Sequence, residues 1–143
     1  NHDVILPHLS VRKPLGSDEM VLVATPGVIQ KVQKSKGNKT LPLLTYPLSS
    51  FFGSVVWADV LPRVLRHENA SIACESAFAV GLREMALAST GAAWVPRSIV
   101  LDDIKRGKLR VLDDMSPPIP MQVVAHLSRI SDGPAIKQLR QIL

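Results

Sequence analysis

Few residues in this chain combine the type and spacing that catalysis or metal binding requires. Two adjacent carboxylate pairs, Asp102-Asp103 and Asp113-Asp114, have the composition to hold a divalent ion or share a proton. The first pair falls on a helical pattern whose outer face needs charge and the second in a turn, so solvation accounts for both. His2, His8, His67 and His126 have neither one another nor a cysteine at metal-ligand spacing. Cys74 is the one cysteine, lies in an apolar strand pattern, and reads as a small hydrophobe with no disulfide partner. Met20, Met85, Met115 and Met121 read as packing residues. No nucleophile elbow, phosphate loop or dinucleotide-binding glycine pattern is present. The chain is therefore expected to be no enzyme, with no metal and no cofactor.

A second set of polar residues has a position in common instead of a motif. Tyr46, Ser49 and Ser50 follow one strand pattern, Glu75 and Ser76 a second, Arg97 and Ser98 a third. In α/β folds the carboxyl ends of strands and the first turns of helices present free backbone N–H groups and small hydroxyls, which favour an anion or carboxylate. Each residue alone is ordinarily a cap or turn residue. Together, without an acid, base and nucleophile in concert, they describe a binding site.

The elements that must place them follow from periodicity. "SDEMVLVAT", residues 17–25, ends in an apolar run closed by Pro26-Gly27, and "LPLLTYP", residues 41–47, is a second apolar run bounded by prolines; both read as buried strands. A short basic helix is expected over 28–36, and a helix from the "LSSFFGS" loop to about Leu65, with Val56, Val60, Leu61 and Val64 at helical spacing. "ASIACES", residues 70–76, reads as a third strand. The following helix carries Phe78, Leu82, Met85 and Ser89 as one stripe facing a sheet, with Arg83 and Glu84 opposite and Ser76 as its N-cap. "AAWVP", residues 92–96, is a fully apolar strand; "RSIVLDDIKRG" is a helix ended by Gly107; "KLRVL" is a strand. After the proline-rich "DDMSPPIP" come a strand, "MQVVAHLS", and a helix from Pro134 with Ile136, Leu139 and Leu143 on one side. Alternating strands and helices imply a mostly parallel sheet. Residues 1–25 and 113–143 are expected to form one subdomain and residues 26–112 another, joined by two crossover strands.

Composition narrows the class. A chain of 143 residues with 46% hydrophobic and 20% charged residues is one folded domain and not a disordered segment. Seventeen Lys and Arg against twelve Asp and Glu give +5, but the densest basic stretch, residues 31–39, has no aromatic side chain to stack on bases and reads as a solvated helix and loop. No apolar run reaches the roughly 20 residues of a membrane helix. The lone cysteine and absence of an export signal point to the cytoplasm. The chain opens at Asn1 without methionine, which suggests a fragment.

The stretch "ESAFAVGLREMALASTGAAWVPRSIVLDDIKRGKLRVL", with "LPLLTYPLSSFFG" before it and "IPMQVVAHLS" after it, resembles the effector-binding domain of LysR-type transcriptional regulators over essentially the whole chain. The resemblance implies an α/β fold of the type II periplasmic-binding-protein kind, two Rossmann-like subdomains joined by two crossover strands, here with the first subdomain incomplete. It implies a small-molecule effector, in an interlobe cleft, contacting Ser76, the loop at Ser49 and Ser50, and the crossover near Thr25. Tyr46 and Arg97 complete the candidates. It also implies a homodimer or homotetramer, and DNA contact only through an N-terminal winged helix-turn-helix that this chain lacks. Where the family often has Gly-x-Gly, this chain has Ser89-Thr90-Gly91, which puts a serine at a helix end that favours glycine. A transport-type solute-binding protein is the alternative on the same fold.

Overall fold

The computed structural model describes residues 10–128 and 133–143. His2, His8, the opening residues of the expected first subdomain and residues 129–132 lie outside the described residues. In chain order the elements are β1 (Ser10–Ala24), α1 (Pro26–Lys34), β2 (Leu41–Thr45), α2 (Phe51–Asp59), α3 (Leu61–His67), β3 (Ala70–Glu75), α4 (Ala79–Leu87), β4 (Ala92–Pro96), α5 (Arg97–Lys105), β5 (Arg110–Val111), β6 (Ile119–Ser128) and α6 (Pro134–Ile142). Among the described residues no helix is long and apolar enough to cross a membrane.

The chain divides into two compact units, one containing the segments up to Asp18 and from Pro120 to Leu143, the other Glu19–Ile119. The divisions fall at 18 and 120 instead of 25 and 113, because the apolar half of β1 packs with the strands that follow it. In the smaller unit β6 pairs with β1, and Arg12 donates to Gln122 Oε1 at 2.7 Å. Pro134 sits in the first turn of α6 as expected. Of the expected apolar stripe there, Leu139 and Leu143 are exposed and Ile136 is half-buried.

In the larger unit the sheet order is β3-β2-β4-β1-β5. β2 runs parallel to β3 and β4, whereas β1 runs antiparallel to both β4 and β5. The sheet is thus mostly parallel, with β1 reversed. Met20 to Ala24 and all five residues of β4 are buried, which explains why both runs are uncharged: helices cover a central strand on each face and leave a polar side chain no water. Trp94 is wholly buried, and its Nε1 donates to the buried Ser116 Oγ at 3.0 Å, so its polar atom is satisfied. β3 is an edge strand and mostly exposed, so Cys74 is half-buried and not enclosed in core.

Three local expectations change. The helix expected through Leu65 is two, because Pro62 has no N–H to continue the ladder and its ring crowds the preceding turn; Val60, at φ −125°, marks the break. Phe78 precedes α4 and is 76% exposed, so the buried face of that helix is Leu82 and Ala86. Ser76 is not its N-cap: its hydroxyl accepts from Phe78 N at 3.2 Å, and α4 starts with no side-chain cap. At the other end Ser89 takes the left-handed conformation, φ 61°, at a cost of about 1 kcal/mol relative to glycine. Its hydroxyl recovers a hydrogen bond to Thr25 Oγ1 at 2.8 Å. Gly107, φ 72°, ends α5 as expected.

The acidic pair on α5 also divides. Asp102 is exposed, but Asp103 is buried and takes Arg83 in a bidentate grip, Nε to Oδ2 at 2.8 Å and Nη2 to Oδ1 at 3.2 Å. Arg83 therefore faces α5 instead of open solvent, and its Nη1 reaches Glu84 at 2.7 Å. The Asp103 hydrogen bonds raise the guanidinium above its ordinary value, so it stays charged.

Two stability outcomes follow, both read by urea unfolding. Trp94→Ala is expected to cost about 3–5 kcal/mol through the cavity it leaves and the Ser116 hydroxyl it orphans. Asp103→Asn is expected to cost about 1–2 kcal/mol, discounted because Arg83 keeps partial access to water.

Candidate functional site

The direction of the strands decides which polar residues share an edge. β2, β3 and β4 are parallel neighbours, so Thr45, Glu75 and Pro96 end at the same edge of the sheet. Each strand hands the chain to a loop or helix there: residues 46–50 before α2, residues 76–78 before α4, and Arg97 at the start of α5. Tyr46, Ser49, Ser50, Ser76 and Arg97 all belong to this carboxyl edge. Ser76 N donates to Thr45 O at 2.9 Å, which pins the loop after β3 against the end of β2.

Thr25 does not join them. β1 is antiparallel to β4, with Met20 opposite Pro96 and Val23 opposite Ala93, so Thr25 lies at the opposite edge, where β4 begins. There its hydroxyl accepts from Val28 N as the N-cap of α1 and shares the hydrogen bond with Ser89. It is a cap and a brace between the start of α1 and the end of α4.

The hydroxyls at the carboxyl edge differ in what they have left to offer. Ser50 caps α2: its Oγ donates to Pro47 O at 2.8 Å and accepts from Gly53 N at 3.0 Å. The turn is so tight that a Cβ at Gly53 would fall 1.8 Å from Pro47 O, so only glycine fits. Ser50 is committed to shaping the loop. Ser49 is exposed and makes no hydrogen bond to the described residues, and Ser76 spends only an acceptor lone pair on Phe78 N. These two retain a free O–H donor.

Tyr46 is fully buried, packed on Phe52 with ring centroids 5.3 Å apart, and its carbonyl accepts from Trp57 Nε1 at 3.3 Å. It supports the loop from beneath. Burial raises its hydroxyl well above the ordinary tyrosine value, so the group is neutral. Tyr46 Oη and the neighbouring Thr45 Oγ1 are buried with no hydrogen-bond partner among the described residues. Around these polar groups Leu48, Phe51 and Phe78 stand exposed, which gives the edge an apolar component that periodicity did not reveal.

Arg97 is the one candidate with a charge. Its Nε donates to Glu19 Oε2 at 2.8 Å, the side chains being 35% and 45% exposed. A pair this open to water contributes about 0–1 kcal/mol to stability. Glu19 was not legible as a site residue, because its partner is 78 positions away and only the β1–β4 register brings them together.

A cavity of about 260 Å³ lies elsewhere in this unit, lined by Gln33, Glu68, Val111 to Met115 and so by both Asp113 and Asp114. It holds three carboxylates and no basic group, and among the described residues no group of three or more His, Cys, Asp or Glu is placed to hold a metal ion.

Nothing among the curated proteins matches the chain. Solved structures do. A LysR family transcriptional regulator is similar at 22% identity and a TM-score of 0.76, over 98% of this chain and 45% of that one. DarR of Vibrio fischeri, solved in complex with DNA, is 18% identical with a TM-score of 0.74, over 96% of this chain and 45% of its own. LysG of Corynebacterium glutamicum, with bound effector Arg, is 15% identical with a TM-score of 0.68, over 98% and 46%. This chain spans about half the length of those proteins. Their likeness shows the fold, that of type II periplasmic binding proteins. The model of the LysR substrate binding domain matches residues 4–143, and the chain belongs to that family.

Proposed function

We propose that this chain is the effector-sensing part of a LysR-type transcriptional regulator, and that a small molecule with an anionic group binds at the carboxyl edge of its mixed sheet. The observation that carries the reading is the convergence there of the free hydroxyls of Ser49 and Ser76 with the half-exposed guanidinium of Arg97, on a floor formed by Tyr46 and a loop shaped by Ser50. Among the described residues no acid, base and nucleophile stand in concert at that edge, and in this reading the group recognises its guest and leaves it unchanged. LysG supports the effector reading and DarR the link to DNA, since a related fold carries bound Arg in one and is solved on DNA in the other. Transport of a solute draws no support from these relatives.

DNA contact belongs, in this proposal, to a winged helix-turn-helix outside these 143 residues, and the regulator acts in the cytoplasm as a homodimer or homotetramer. The effector must prefer one of two conformations, because equal affinity for both would transmit nothing.

Native mass spectrometry of the complete regulator, as purified from its cells, identifies a retained effector, and calorimetry then measures its affinity. Ser76→Ala is expected to weaken that effector by about five- to tenfold, the loss of one hydrogen bond, with the thermal midpoint nearly unchanged. Thr25→Val is expected to do the reverse: it removes the cap of α1 at a cost of about 1 kcal/mol and leaves effector affinity as it was. Unaltered affinity in both Ser76→Ala and Ser49→Ala would overturn the assignment of the edge.

A further inference from the structure

The Arg83–Asp103 and Arg97–Glu19 pairs differ in how the guanidinium is used. Arg83 commits Nε and Nη2 to Asp103 and Nη1 to Glu84, and Asp103 is only 7% exposed. All three nitrogens of that fork are engaged, and its Asp103 partner is withdrawn from water, so another anion would find no free edge to bind. Arg97 commits only Nε, to one oxygen of Glu19, and both partners stand in contact with water. Its two terminal amino groups make no hydrogen bond to the described residues, so a planar pair of N–H donors suited to a carboxylate stays open.

The carboxylate that holds Arg97 also has a telling position. Glu19 comes immediately before Met20, which pairs with Pro96, so it sits where β1 enters the larger unit. β1 is a single strand that carries the chain from the segment before Asp18 into the larger unit. A change in what Glu19 touches is therefore a change at the first residue of β1 that belongs to the larger unit.

Resting on the effector reading of the carboxyl edge, we propose that Glu19 is a built-in competitor for the effector's carboxylate. The arriving anion engages the open edge of Arg97 and then takes the guanidinium from Glu19, which breaks the tie between β1 and the start of α5. Weakness of the resident pair is what this requires. A pair as enclosed as Arg83–Asp103 would not yield to a ligand from water, whereas an exposed single hydrogen bond does. Glu19 is in this sense a positioning residue: it need not touch the effector, yet it sets the affinity of Arg97 for it.

The test uses the full chain with 15N-labelled arginine, and sodium benzoate as the probe at constant ionic strength, with neutral benzamide as control. The Arg97 Nε–H resonance is expected to move saturably with benzoate and to stay in place with benzamide. Glu19→Gln is expected to tighten benzoate by about fivefold, because the internal competitor is gone. Glu75→Gln, which removes a charge from the same edge without freeing Arg97, is expected to stay within about twofold of the parent, a long-range effect screened by salt. An equal gain in both variants would reduce the effect to general charge and overturn the exchange. If benzoate shifts the backbone signals of residues 46–50 and 76–78 but leaves Arg97 Nε–H unmoved, the exchange is wrong and the edge reading stands. No shift at any of these positions, in the parent chain and in Glu19→Gln alike, removes both.

Discussion

The antiparallel pairing of β1 with β4 is the constraint on which the rest of the larger unit depends. Two short apolar runs, Met20 to Ala24 and Ala92 to Pro96, lie side by side with every residue buried. A slip of one position would turn each side chain to the other face and separate Trp94 from Ser116, so the register is fixed by burial and by one buried hydrogen bond together. That register places both ends of β1. At one end Glu19 meets Arg97 at the carboxyl edge; at the other Thr25 meets Ser89. The candidate site and the brace opposite it are consequences of one strand pair.

The order of strands and helices was legible because each carries its own local signature. "AAWVP" has no charge to expose, and Pro26 and Gly107 stand at helix boundaries, whereas the glycine-favouring helix end at Ser89 was marked only by the resemblance to the LysR-type family. What was hidden depends on contacts between distant residues. Asp103 and Glu19 look like surface acids in one dimension. Their roles appear only when Arg83, 20 positions away, and Arg97, 78 positions away, come within 2.8 Å. Thr25 was drawn to the site by its place on a crossover, but strand direction sends it to the far edge.

Helix boundaries failed in the same manner. Apolar spacing continues smoothly across Val56, Val60, Leu61 and Val64, which is why one helix was expected, yet Pro62 breaks the backbone while the side chains on either side stay buried. Burial and backbone continuity are separate constraints here. A similar separation applies to Phe78, which has the spacing of a core stripe but precedes the helix and stands in solvent.

Polar satisfaction is uneven across the larger unit, and the unevenness has a direction. Within the core Trp94 has Ser116, and between α4 and α5 Arg83 has Asp103; those groups are complete. At the end of β2, Thr45 Oγ1 and Tyr46 Oη are buried without a partner among the described residues, each at a cost of about 1–3 kcal/mol. Ser49, Ser76 and Arg97 retain unused donors at the same edge. A sequence selected for stability alone would fill such positions with apolar side chains of similar shape, as it has along β4. The buried side-chain oxygens without a partner among the described residues, Thr45 Oγ1 and Tyr46 Oη, thus lie at the same edge as these donors, which is the arrangement that the proposed effector reading requires.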